Sequence, residues 1–147
     1  MNNIQIQPLS DAVALFRAAL PKEQKEERVF VLPLAANGKA LARPILVSTW
    51  HQDGTSTIDA GMIFREALKA GAEEIIVAHN HPSGDSTPGE ADIAATRELK
   101  DLAKRLDVVF LDHLVIGGGK DNGFVSLAEF SKGASFVDRI SLEQRDV

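Results

Sequence analysis

Histidine is scarce in this chain, and two of its four histidines stand two residues apart in His79-Asn80-His81-Pro82-Ser83-Gly84-Asp85. In an extended backbone, residues i and i+2 point to the same side, so the two imidazoles face one way. The apolar run Ile75-Ile76-Val77-Ala78 just before them is of the kind found in a buried strand. Pro82 stops further strand pairing and stiffens the exit. The chemistry this suggests is metal binding at the end of a strand. There is no cysteine, so a transition metal must be held by imidazole and carboxylate. The same absence excludes a disulfide framework, a thiolate zinc ribbon, a thiol nucleophile and an iron–sulfur cluster.

A third ligand is expected from the start of the next helix. Thr87-Pro88-Gly89-Glu90 matches a capping box, with Thr87 as N-cap, Pro88 at N1 and Glu90 at N3. Gly89 and Asp92 are then three apart on one face, and Asp92 is the metal-type ligand aimed back at the histidines. Two histidines and one aspartate leave a tetrahedral position open to water, as in a catalytic rather than a structural zinc site. A bare His-x-His pair also occurs in ordinary polar loops, and Glu90 and Asp92 would suit the first turns of any helix. Strand, Pro-Ser-Gly turn and spaced aspartate together favour the metal, one zinc per chain.

The elements that must position these residues follow from periodicity and punctuation. Ser10-Asp11 can cap a helix that Pro21 stops after Leu20, with Val13, Phe16 and Leu20 on one face. A charged run over 22–28 reads mostly as a solvated lead into a strand, Val29-Phe30-Val31-Leu32. Asn37-Gly38 signals a hairpin to a second strand over 41–47. Pro33 and Pro44 suggest edges or bulges. Residues 50–57 read as a loop. Asp59 can cap a helix over 60–69, ended by Gly71, with Ile63, Phe64, Ala67 and Leu68 inward. The helix after the histidine loop runs to about Leu106, with Leu99, Leu102 and Leu106 on one face. Strands follow over 108–111 and 114–116. Gly117-Gly118-Gly119-Lys120 lacks phosphate-loop spacing and reads as a tight turn. Residues 125–130 read as a short helical turn.

The order of elements predicts an α/β fold, a mixed sheet flanked by helices. An N-terminal helix occupies 1–25, the main domain 26–131, and a tail 132–147. The 147 residues, 44% hydrophobic and 25% charged, suit one core. Sixteen basic against twenty-one acidic residues give a net charge of −5, which argues against a surface that coats nucleic acid. No apolar run is long enough to span a membrane, and residues 1–7 do not read as a secretory signal, so the expected compartment is the cytoplasm. Edge strands and the tail leave a homodimer open.

His79-x-His81-Pro82-Ser83-Gly84 through Asp92 resembles the signature of the JAMM (MPN+) zinc metallopeptidases. The wording Ala78-His79-Asn80-His81-Pro82-Ser83-Gly84, then Pro88, then Leu111-Asp112-His113 and the glycines after Ile116 is similar to their RadC-like branch. The resemblance covers about residues 27 to 130. It implies a single MPN/JAMM-type domain with cytidine-deaminase-like layering, and a zinc-dependent peptidase or isopeptidase acting on a peptide or protein substrate. It also implies a glutamate base just ahead of the first core strand, Glu27, with Glu26 as the register alternative. Zinc lowers the pKa of its water to about 7, and a carboxylate can take the proton as a carbonyl is attacked.

Two departures bear on activity. The family places a serine, an oxyanion donor, three residues before the aspartate; here that position is Gly89. Its backbone N–H, or Ser83, Ser86 or Thr87, would have to substitute, and losing such a donor costs on the order of 10²–10³ in rate elsewhere. The family's Gly-Thr and Pro-Arg pairs near the helix over 60–69 are replaced by Trp50-His51 and Ala60-Gly61, which implies a different substrate groove. His51 reads as a surface residue. Asp112-His113 matches a family feature and reads either as support for a ligand or as a satisfied buried pair. RadC-like relatives usually carry a helix-hairpin-helix region; about 25 residues precede the domain here, so direct nucleic-acid binding is not expected. The alternative function is a catalytically weak binding module associated with DNA repair or mobile-element maintenance.

Overall fold

The structure is a computed structural model and describes residues 9–23, 25–49, 58–117 and 123–130. The expected loop over 50–57 with His51, the turn at Gly118 to Lys120 and the tail over 132–147 lie outside these residues. The elements in chain order are α1 (Leu9–Ala19), β1 (Arg28–Leu34), β2 (Ile45–Thr49), α2 (Ala60–Lys69), β3 (Glu74–His81), α3 (Glu90–Leu106), β4 (Val109–Gly117), β5 (Phe124–Ser126) and α4 (Leu127–Phe130). They form a five-stranded mixed sheet in the order β2-β1-β3-β4-β5. β3 and β4 are parallel, joined by the α3 crossover; the other pairs are antiparallel. Among the described residues, no helix is long and apolar enough to cross a membrane.

β3 lies at the centre of the sheet and is buried on both faces, which explains its unbroken apolar run. Ile76 and Ala78 join Phe30, Leu32, Leu114 and Ile116 against α1, through Ala12, Val13 and Phe16. Ile75 and Val77 join Val29 and Val31 against α2 and α3, through Ile63, Phe64, Ala67, Leu99 and Ala103. Strand alternation then carries His79 and His81 onto the α3 face.

Several local expectations change. α1 begins ahead of Ser10, so that residue is inside the helix rather than its cap. Pro33 lies on β1, an inner strand. Its carbonyl accepts from Leu41 N at 2.8 Å, so its ring nitrogen faces the hairpin side beyond the β1–β2 ladder, where no ladder donor is missing. β2 starts only at Ile45. The strands expected over 108–111 and 114–116 are one strand, β4, continuous through a register shift that leaves Leu111 between Phe110 and Asp112 in the pairing with β3. The segment expected to be helical from Val125 begins as β5. Asp59 caps α2 as expected, its carboxylate accepting from Met62 N at 3.1 Å. Leu68 and Leu106 are 46% and 39% exposed, because the buried stripes run through Ala60, Ile63, Phe64 and Ala67 on α2 and through Asp92, Thr96, Leu99 and Ala103 on α3.

The far end of the fold braces the histidine loop. The Arg17 guanidinium donates to the carbonyls of Gly117 and Gly123, each at 3.1 Å, tying α1 to the end of β4 and the start of β5. Gly117 in turn abuts the turn after His81: a Cβ there would lie 2.5 Å from the Gly84 carbonyl oxygen and 3.2 Å from that of Gly123. Both obstacles are backbone and cannot swing aside. Gly117→Ala is therefore expected to lower stability by about 1–3 kcal/mol, the usual range for overpacking. Chemical denaturation measures it, and an unchanged midpoint would contradict the close approach.

Candidate metal centre

The N-terminus of α3 sets the position of Asp92. The helix begins at Glu90 with Gly89 as N-cap, two residues later than the expected Thr87 cap. Thr87 is engaged elsewhere: its N–H and its hydroxyl both donate to Asp85 Oδ1, at 2.9 and 2.6 Å. Asp92, rather than Glu90, thus occupies N3. Gly89 has no side chain to cap with, so only the return half of a capping box forms, Gly89 N–H donating to Asp92 Oδ2 at 2.8 Å. That bond holds the carboxylate over the helix N-terminus. It also engages the Gly89 N–H, one of the donors expected to substitute for the family's serine.

Four groups converge here. His79, His81, Asp92 and Glu27 each present a ligand atom, and these atoms all lie within 4.8 Å of one another. His79 Nε2 is 3.1 Å from Asp92 Oδ1 and 3.7 Å from Glu27 Oε1, and His81 Nε2 is 3.3 Å from Asp92 Oδ2. Of the two glutamates, Glu26 turns outward, its side chain 53% exposed and 4.0 Å from Arg28. The two Nε2 atoms are only 3.1 Å apart.

Hydrogen-bond polarity determines what those nitrogens carry. The Thr96 hydroxyl is 2.8 Å from the Asp92 carbonyl, which can only accept, so Thr96 donates its one proton there. Its oxygen must then accept from His113 Nδ1, also at 2.8 Å. His113 is fully buried and neutral, so its Nε2 is a bare acceptor and takes a proton from His79 Nδ1 at 2.8 Å. With the proton on Nδ1, a neutral His79 turns a bare Nε2 lone pair toward the cluster. A neutral His81 does the same, because its Nδ1 donates to the Asp85 carbonyl at 3.0 Å. Two lone pairs at this separation repel unless a proton or a cation lies between them. The carboxylate beside them adds a further demand for positive charge. The donor set therefore fits a divalent metal bound by imidazole and carboxylate.

The same demand for positive charge shows in the titration behaviour, where a proton on an imidazole takes the place of a cation. Burial alone would raise the Asp92 pKa, but hydrogen bonds with His79 and His81 and the Gly89 N–H hold it well below the usual carboxylate range. The hydrogen bond to Asp92 raises His81 against its partial burial. Burial, assisted by His79, holds His113 well below its ordinary value.

The remaining expected residues fall differently. His113 backs His79, but Asp112 next to it points to the other face of β4. There its carboxylate accepts from Ser126 Oγ at 2.6 Å, from His113 N at 2.7 Å and from Ala128 N at 3.2 Å, tying β4 to β5 and α4. Asp112 is thus a structural tie rather than a support for a ligand. Ser83 is exposed, its hydroxyl accepting from Asp85 N at 3.3 Å. Two residues that shape the site were not singled out from sequence, Thr96 and Asn80. The four-residue step from Asp92 to Thr96 on one helix face was the available signal for Thr96.

Fold and site together define a JAB/MPN-like α/β domain with a candidate metal centre. The chain belongs to the RadC-like JAB domain family, which it matches over residues 6–133. It is 34% identical over 133 residues to a UPF0758 protein of Roseiflexus castenholzii, covering 90% of this chain and 54% of the relative. A UPF0758 protein of Staphylococcus epidermidis is 37% identical over 131 residues, 87% of this chain and 54% of the relative. One from Clostridium perfringens is 49% identical over 75 residues, 51% of this chain and 32% of the relative. The chain thus spans about half the length of the first two relatives and about a third of the last.

Thr96→Val keeps the shape and removes the acceptor of the His113 N–H. It is expected to cost about 1–3 kcal/mol of stability through an unsatisfied buried donor. Metal affinity should fall roughly 10–100-fold, the usual cost of losing the group behind a ligand. Titration calorimetry with zinc reads the second effect, and wild-type affinity in the variant would contradict the proton chain.

Proposed function

We propose that this domain is a zinc-dependent hydrolase of peptide or isopeptide bonds. The observation that carries the reading is the convergence of two imidazole nitrogens and the Asp92 carboxylate, with a second carboxylate set slightly apart. Glu27 stands 3.7 Å from His79 Nε2, farther than either Asp92 contact, which suits a group that handles protons rather than one that binds. In this reading His79, His81 and Asp92 hold zinc, and Glu27 is the general base.

Bound zinc supplies Lewis acidity, which makes water a nucleophile near neutral pH. Glu27 takes the proton of the attacking water as the carbonyl carbon is engaged. It then delivers that proton to the amide nitrogen as the C–N bond breaks. His113 and Thr96 keep His79 in the tautomer that leaves Nε2 unprotonated throughout.

One observation favours a second reading, a catalytically weak binding module associated with DNA repair or mobile-element maintenance. With Gly89 in place of the family's serine and its N–H engaged by Asp92, provision for an oxyanion falls to Ser83, Ser86 or the substrate groove. Activity decides between the two. Zinc-loaded protein is expected to cleave members of a peptide and isopeptide panel. Glu27→Gln is expected to lower turnover by roughly 10²–10⁴ while zinc content stays at one per chain. Absence of turnover in the zinc-loaded wild type across the panel, or turnover indifferent to Glu27→Gln, would leave the binding-module reading.

A further inference from the structure

The β1–β3 ladder runs from Leu34 opposite Glu74 to Val29 opposite His79 and stops there. One step on, Arg28 lies level with Asn80, and the pairing is taken over by a side chain. Asn80 Oδ1 accepts from the Arg28 N–H at 2.7 Å, and Asn80 Nδ2 donates to the Glu26 carbonyl at 3.0 Å. The residue between those two peptide groups is Glu27. From this geometry we propose that Asn80 is a positioning residue for Glu27, setting where its carboxylate lies relative to the two histidines.

A primary amide carries the same donor and acceptor as a peptide group. Here it accepts from the residue after Glu27 and donates to the residue before it, as a neighbouring strand does in a parallel pairing. The backbone on either side of Glu27 is thereby held at a point where the β1–β3 ladder has ended. Asn80 itself is fixed, 1% exposed on the central strand of the sheet. The chain ahead of Glu27 is solvated: Glu23 and Lys25 pair at 3.7 Å with side chains 83% and 82% exposed. Alternation along β3 gives the arrangement its economy. His79 and His81 send their imidazoles into the cluster, while the residue between them holds the segment that brings in the fourth group.

Aspartate cannot substitute. It keeps an acceptor for Arg28 N–H but loses the Nδ2 donor, and it sets a negative charge against the Glu26 carbonyl. The role of Glu27 as a base rests on the hydrolase reading; its placement by Asn80 does not. The test is therefore made on both levels. Asn80→Asp and the smaller Asn80→Ser are crystallised with zinc, and their zinc affinities are measured with Glu27 intact and in Glu27→Gln. At least one of the two variants is expected to show the Glu27 carboxylate displaced, with His79, His81 and Asp92 in place and zinc affinity within about threefold of wild type. Where turnover is present it should fall at least tenfold in kcat with little change in KM, and fall no further when Glu27→Gln is added. Glu27 unmoved in both variants would overturn the proposal. So would a loss of zinc affinity that is large and equal in the two backgrounds, which would mean that Asn80 acts through the histidines. Wild-type protein that binds zinc but cleaves nothing removes the hydrolase reading and leaves the crystallographic result to decide on Asn80.

Discussion

The Thr96 hydroxyl has one proton to give, and the only acceptor of its pair of partners that cannot donate in return is the Asp92 carbonyl. From that fact the tautomer of His113 follows, then that of His79, and, with both site rings neutral, a lone pair 3.1 Å from another on His81. The direction of a proton in the α3 interior is thus felt at the far side of two imidazole rings. Such a chain works only in a dry environment, because water at any link could supply the missing donor or acceptor. Thr96, His113 and His79 are all buried, which keeps the chain unambiguous.

The fold reads as the means of assembling that chain. A parallel β3–β4 pair places His113 diagonally behind His79, since Val77 pairs with His113 and His79 with Val115. The α3 crossover that parallel strands require brings Asp92 and Thr96 back over the same face. A helix N-terminus then points at the site, where its dipole and the Gly89 N–H favour the Asp92 carboxylate. The opposite face of the sheet carries a different kind of buried polar group. Asp112 accepts from Ser126 Oγ, His113 N and Ala128 N and secures β5 and α4, so the β4 strand uses alternate residues for the metal centre and for its own anchorage. Gly117 at the end of that strand lets the Gly84 turn close in, which no side chain there would permit.

What could be read from sequence was what depends on short-range geometry. His79 and His81 share a side because strands repeat every two residues, and Asp92 shares a face with Gly89 because helices repeat near every three or four. Those relations survive small errors of boundary; the α3 start was expected two residues early, yet Asp92 still points at the histidines. The central burial of β3 was legible from its unbroken apolar run. The placement of Pro33 was not, because it depends on which side of β1 the ladder has ended. Nor was the division of labour between Asp112 and His113, since a pair on a strand necessarily looks in opposite directions and the pattern does not say which face is which. Asn80 and Thr96 escaped for a stronger reason: their partners lie across strand register and helix crossing, which the local pattern does not encode. The family resemblance located Glu27, but its approach to the cluster comes from the chain path into β1.

The most direct test of the central idea, that two imidazole lone pairs and a carboxylate are arranged around a cation, is anomalous diffraction at the zinc edge from crystals grown with zinc. The expected result is a single strong peak per chain, about 2.0–2.2 Å from His79 Nε2, His81 Nε2 and an Asp92 oxygen. The map should leave His79 Nδ1 still bonded to His113. No peak in the cluster, or a peak coordinated by Nδ1 of either histidine, would contradict the account.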